Sequence, residues 1–181
     1  MKKDIKYIQI EKHIQSIIDI IGIEKTKDIK ETPKRVAKML INELMIGVEK
    51  NNFPKYKIFN IAKNNNQYDS NEVVIVNNIN INSICEHHLL PFIGKATFKY
   101  IPKNKVIGLS KIPRIIDFLS RKPQLQERLT LEIFETFKKI LNTDNISIEI
   151  ECEHLCAKIR GVKENCKMIT TKKGGLFSNN K

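Results

Sequence analysis

Two short segments limit what this chain can fold into. They are Cys85-Glu86-His87-His88 and Cys152-Glu153-His154-Leu155-Cys156. The protein has four cysteines and four histidines in all, and three of each fall in these two stretches. Thiolate sulfur and neutral imidazole nitrogen are the natural ligands of zinc. If both segments bind one ion, the fold must bring two distant parts of the chain to a single point, and the ion then closes it. A lone cysteine is more often a small buried hydrophobe than a ligand. Six such residues gathered into two clusters favour a metal site.

The spacing says more. Ile148, Ile150, Cys152, His154 and Cys156 alternate with glutamates at a period of two, so a strand would carry them on one face. Cys85 and His88 are three apart, as in a turn or the start of a helix, and both can point at one ion. His87 then lies beside the metal but off it, where a general acid or base would sit. Two arrangements satisfy these constraints. Cys85, His88, Cys152 and Cys156 would complete a closed structural site of four ligands. Three protein ligands would leave a position for water, which is the catalytic pattern.

A chain of 181 residues is long enough for one domain with a proper core. No apolar run reaches the ~20 residues of a membrane helix, and the Met1-Lys-Lys-Asp-Ile-Lys start lacks the apolar core of a signal peptide. Free cysteines in metal-type motifs fit a reducing cytoplasm, so a cytoplasmic protein with no membrane partner is expected. The net charge is +12, but the lysines are scattered, and no stacking platform or recognition helix accompanies them. No nucleic-acid partner is expected. A polyanionic small substrate remains compatible with the charge.

In chain order, apolar periodicity predicts a helix from about Tyr7 to Ile21, ended by Gly22. A second helix is expected from Thr32 as N-cap and Pro33 as first helical residue, with Gly47 as its stop. Arg35 falls in its first turn and is a candidate anion contact. Residues 49–71 read as a mobile loop. Strands are expected over Glu72–Ile81, Phe92–Ile101 and Val106–Leu109. Ser110 then looks like the N-cap of a helix, and Ser110, Lys111 and Arg114 at that helix start form a candidate phosphate site. Gln124 to Leu141 reads as a long helix facing inward through Leu125, Leu129, Ile133, Phe134, Phe137 and Leu141, with Gln126, Glu127 and Arg128 as its solvated first turn. Extended segments over Cys152–Cys156, Ala157–Val162 and Cys166–Thr171 follow. Hairpins with helices on one face make the class α+β.

Four ordered motifs stand out: Cys85-Glu-His-His88, Gly108-Leu-Ser-Lys-Ile-Pro-Arg114, Arg121-Lys-Pro-Gln-Leu-Gln-Glu-Arg-Leu-Thr130, and His154-Leu-Cys156 with Arg160-Gly161-Val162. Together they resemble the signature segments of GTP cyclohydrolase I. Glu31-Thr-Pro-Lys-Arg-Val-Ala37 resembles that family's helical N-terminal segment. The similarity runs from about residue 8 to Phe177. It implies one domain over 1–181, with a helical segment at 1–48 and a catalytic core at 72–177. The implied fold is the tunnelling fold (T-fold), an antiparallel sheet backed by helices, with subunit sheets closing into a barrel in a decamer of two pentamers and active sites between subunits. The implied reaction is the zinc-dependent hydrolysis of GTP to 7,8-dihydroneopterin triphosphate and formate, which starts folate and pterin synthesis. By that resemblance the zinc ligands are Cys85, His88 and Cys156, and Cys152 is left out. His154 matches the proton donor to the purine, and His87 the second histidine. Ser110, Lys111, Arg114 and Arg160 match ribose and triphosphate positions, with Arg35 adding to them from a second subunit. Glu127, with Gln126 beside it, matches the guanine reader. Two departures stand out. Many members continue into a further helix after the position of Phe177, and Cys152 replaces a usually small residue.

Overall fold

The computed structural model describes residues 2–61 and 72–179. Helix α1 (Lys2–Ile21) packs on α2 (Thr32–Met39), which runs on into one wider helical turn at Leu40–Leu44. The strands are β1 (Ile58–Asn60), β2 (Val74–Cys85), β3 (Pro91–Tyr100), β4 (Lys105–Ile107), β5 (Pro123–Gln124), β6 (Ile146–His154) and β7 (Lys167–Lys173). Helices α3 (Lys111–Ser120), α4 (Gln126–Leu141) and the one-turn α5 (Leu155–Lys158) complete the order. No helix among the described residues is long and apolar enough to cross a membrane.

The main sheet has the order β5-β2-β3-β6-β7. Its four long strands are antiparallel, as expected, but the two-residue β5 adds a parallel edge at Ile84 and Cys85, so the sheet is mixed. One sheet face carries Ile79, Ile81, Phe92, Ala96, Phe98, Ile148, Ile150 and Cys152 into the core. It meets the stripes Ile112, Ile115, Ile116, Leu119 of α3 and Leu129, Ile133, Phe137, Ile140 of α4, spaced three and four apart as helix geometry requires. Phe98 and Phe137 meet at a ring separation of 4.4 Å in the middle of this layer. The other face is open, with Asn80, Asn82 and Lys95 beside exposed Ile75, Ile93 and Ile169. Asn78, in the left-handed region at φ 57°, takes up a register shift between Val76 and Ile79 and so sets which residues of β2 face the core.

Several expectations are corrected. Thr32 is not an N-cap, because residues 29–31 already form a helical turn and its hydroxyl donates back to the Asp28 carbonyl. Ser110 makes no capping hydrogen bond, since its own backbone is helical. Gly47 does more than stop a helix: its N–H donates to the Arg121 carbonyl at 2.8 Å, and a Cβ there would strike the Phe118 carbonyl. The segment read as loop contains β1, which pairs with β4; residues 62–71 lie outside the described residues. Ala157–Val162 is not extended but begins in α5 and continues as turn.

β3 and β6 approach closely where Gly94 faces Cys152. A Cβ on Gly94 would collide with the Glu151 carbonyl and lie 2.8 Å from the Cys152 sulfur. We predict that Gly94→Ala lowers stability by about 1–3 kcal/mol, the usual cost of overpacking. Denaturant unfolding checks this, and a midpoint equal to that of the wild type would contradict it.

Candidate metal and catalytic site

The site lies at one end of the sheet. Cys85 is the last residue of β2, where the chain enters the tight turn to β3. Leu89 N–H donates to the Cys85 carbonyl and Cys85 N–H to the Leu90 carbonyl, both at 2.8 Å. Leu89 takes a left-handed φ of 54°, which lets the turn close and holds His87 and His88 at its exposed tip. Antiparallel register places His154, the last residue of β6, opposite Phe92. The chain then coils into α5, which curls Cys156 back over the sheet end.

This overturns one expectation, since Cys156 does not share a strand face with Cys152. Its position depends on the helical turn that begins at Leu155. The result is nonetheless a cluster: one ligand atom each from Cys85, His88 and Cys156 lie within 4.8 Å of one another. Ligands of one tetrahedral ion stand about 3.5–4 Å apart, so small side-chain rotations close the group. Cys152 is not part of it. It is 1% exposed and packed in the core, and burial, helped by the charge of Glu151, pushes its thiol up to about 12. Cys156 is also raised, first by burial and then by the Cys85 thiol, with Arg160 acting the other way. A cation would relieve the cost of ionising Cys156 beside Cys85, so the donor set fits a thiophilic metal.

Two imidazoles stand beside the group. His87 is exposed, its Nδ1 4.0 Å from the Cys85 sulfur. His154 is half-buried, stacked on Phe92 at 4.7 Å with the rings 9° from parallel. Its Nε2 lies 2.8 Å from Gln126 Oε1. Burial lowers its pKa, and the charge of Glu127 opposes that shift. Glu127 is exposed on the first turn of α4, and Arg160 is exposed just past α5. Gln126 departs from its expected role at the solvated helix start. It is 1% exposed, and its side chain is engaged entirely within the protein.

The remaining candidates are elsewhere. Ser110, Lys111 and Arg114 open α3, whose far end is tied to β2 where the Ser83 hydroxyl donates to the Lys122 carbonyl. A ten-residue helix is about 15 Å long, so the start of α3 is well removed from Cys85. Arg35 is exposed on α2, in the N-terminal helical pair. A further set of residues was not foreseen. Glu86 in the site turn pairs with Arg128, Arg128 Nε donates to Gln124 Oε1 at 2.9 Å, and Gln124 Nε2 reaches Glu132 and the Leu119 carbonyl. This scaffold braces the turn against α4. Its only trace in the sequence is the four-residue step from Gln124 to Arg128.

Fold and site define a class: an α+β protein with a Cys2His group at a sheet end that could hold a metal ion, and two further imidazoles beside it. The sequence profile of GTP cyclohydrolase I matches residues 10–181. The protein named GTP cyclohydrolase 1 in Blochmanniella pennsylvanica is 45% identical over 174 residues, covering 95% of this chain and 76% of that protein. Its namesake in Wigglesworthia glossinidia brevipalpis is 44% identical over 171 residues, covering 93% and 77%. The Edwardsiella ictaluri namesake is 41% identical over 179 residues, covering 98% and 79%. The chain belongs to the GTP cyclohydrolase I family.

The cysteines should differ in reactivity, since the thiolate is the nucleophile. In native protein at pH 8, alkylation followed by mass spectrometry is expected to label exposed Cys166 and to spare Cys152. Cys156→Ala should lose bound divalent metal, and Cys152→Ala should keep it. Labelling of Cys152 as fast as Cys166, or loss of metal from Cys152→Ala, would contradict this arrangement.

Proposed function

We propose that this chain hydrolyses GTP to 7,8-dihydroneopterin triphosphate and formate, at the head of folate and pterin synthesis. The observation that carries the reading is the gathering of Cys85, His88 and Cys156, with His87 and His154 beside them, in a chain that belongs to this family over nearly its full length. These three residues are the proposed ligands of a zinc ion, which when bound supplies Lewis acidity and brings the pKa of water to around 7.

The chain's own groups do the rest. His154, fixed on Phe92 and Gln126, keeps its Nδ1 free to take up a proton and hand it to the purine ring nitrogen as the imidazole ring of guanine opens. His87, on the turn tip, is placed to move a second proton between the ribose and the opened ring. The Glu127 carboxylate accepts hydrogen bonds from the N1–H and 2-amino group of guanine. Adenine lacks that donor pair, so ATP would leave the carboxylate unmatched. Arg160 meets the triphosphate. Ser110, Lys111, Arg114 and Arg35 have the right chemistry for ribose and phosphate, but Ser110 and Lys111 start a helix about 15 Å long whose other end is held near Cys85. We therefore assign this phosphate set to a neighbouring subunit.

That assignment requires an oligomer. The outer edge of β7 carries no partner strand among the described residues, and β2 is covered beyond β3 only at Ile84 and Cys85. Pairing of these edges between copies would continue the sheet into a closed barrel, as in the T-fold, and remove both edges. A decamer of two pentamers is the proposed assembly.

Zinc-loaded protein is expected to release formate from GTP, with ATP turned over about 10⁴-fold less efficiently. His154→Ala should keep its zinc and lose about 10²–10⁴ in kcat. Glu127→Ala should cost about ten- to a hundredfold in kcat/KM, the value of a hydrogen bond to a charged group. Absence of formate from protein with demonstrated zinc would refute the reading.

A further inference from the structure

Gln126 has a defined orientation, and its neighbours fix it. Its Nε2 faces the Ile150 carbonyl at 3.1 Å, the Met168 carbonyl at 3.0 Å and Thr170 Oγ1 at 3.0 Å. Carbonyl oxygens only accept, so the amide nitrogen must face them. Turning the amide over would set its oxygen against two carbonyls. Oε1 is therefore the atom that faces His154, at 2.8 Å. An amide oxygen also only accepts, so His154 Nε2 must carry a hydrogen.

The hydroxyls close the network. Thr130 Oγ1 donates to the Gln126 carbonyl at 2.8 Å, so Thr170 Oγ1, 2.7 Å from Thr130 Oγ1, is the donor to it. Thr170 is then left to accept from Gln126. The two amide hydrogens of Gln126 are shared among three acceptors, and the directions run from His154 through the Gln126 amide to β6, β7 and α4. Phe92 sets the plane of the His154 ring by stacking, and Gln126 sets its rotation within that plane.

We infer that Gln126 is a positioning residue for His154 rather than a contact to the base: its carbonyl-anchored amide holds the neutral ring in the Nε2–H tautomer and leaves Nδ1 as the free lone pair. The assignment of His154 to proton transfer rests on the hydrolytic reading above. The tautomer rests on the hydrogen-bond geometry alone, so the two can fail separately.

The test uses the full-length, zinc-loaded protein labelled with ¹⁵N-histidine, wild type beside Gln126→Met and Gln126→Glu. With four histidines in the chain, His154→Ala assigns the signals. Nitrogen spectra are taken at a pH where the ring is neutral, with kcat and KM for formate release measured in parallel. Wild type is expected to show His154 with Nε2 protonated and Nδ1 bare. Gln126→Met should keep zinc, show a mixture of tautomers, and lose about 10–100-fold in kcat with KM for GTP nearly unchanged, as for loss of a residue that orients a catalytic histidine. Gln126→Glu keeps an acceptor aimed at His154 but sets its second oxygen against the Ile150 and Met168 carbonyls, so it should retain the Nε2–H signal while losing stability. If neither variant assembles, the wild-type spectrum carries the test on the same signal. The inference is overturned by a bare Nε2 in wild type. It is also overturned by unchanged His154 signals in Gln126→Met, or by a loss confined to KM, which would mark a substrate contact. Wild type that releases no formate would defeat the hydrolytic reading, while the nitrogen spectra would still judge the tautomer.

Discussion

The antiparallel register of β3 against β6 is the constraint on which the site depends. It sets Phe92 opposite His154 and Gly94 opposite Cys152. Successive strand residues point to opposite faces, so a slip of one position would turn His154 away from Phe92 and move Cys152 out of the core. Three features hold the register. Ile148 and Ile150 are fully buried on β6. The close approach at Gly94 admits no side chain. Gln126 ties β6 and β7 to α4 through the Ile150 and Met168 carbonyls.

Helix α4 links this packing to the chemistry. Its stripe Leu129, Ile133, Phe137 and Ile140 meets the sheet, an anchoring by apolar burial worth about 1.5–3 kcal/mol for each such side chain. Its first turn, held by that anchor, presents Gln126 to His154, Glu127 to the open side, and Arg128 to Glu86 in the β2–β3 turn. Local order at the turn thus derives from the core. The metal-type group stands on two anchored supports, the β2 end braced through Glu86 and Gln124 and the α5 turn that follows His154 directly.

Much of this was legible in the sequence because it depends on local pattern. The helical stripes, the strands on either side of the cysteine turn and the two Cys/His clusters all follow from spacing. The gathering of Cys85, His88 and Cys156 was expected, but the expected reason for Cys156, a shared strand face, was wrong: the chain leaves extended structure at Leu155, and no periodic signal marks so short a helix. Gln126 was unreadable for a different reason. A glutamine in a helical first turn looks solvated unless two carbonyls and a threonine from strands far along the chain are known to meet it. Strand β1 was missed because three residues in a polar stretch become a strand only against β4. Thr32 and Ser110 have the right side chains for caps, but Thr32 follows a turn that is already helical, and Ser110, at the N-cap position, has a helical backbone that makes no side-chain cap.

The central claim is that three residues of this chain, and not four, hold the metal. X-ray absorption at the zinc K-edge of the loaded protein tests it most directly. The account predicts two sulfur neighbours at about 2.3 Å and two nitrogen or oxygen neighbours at about 2.0–2.1 Å, the second light neighbour coming from solvent. Three sulfur neighbours would place Cys152 on the metal, close the site, and contradict both the buried thiol and the proposed hydrolysis.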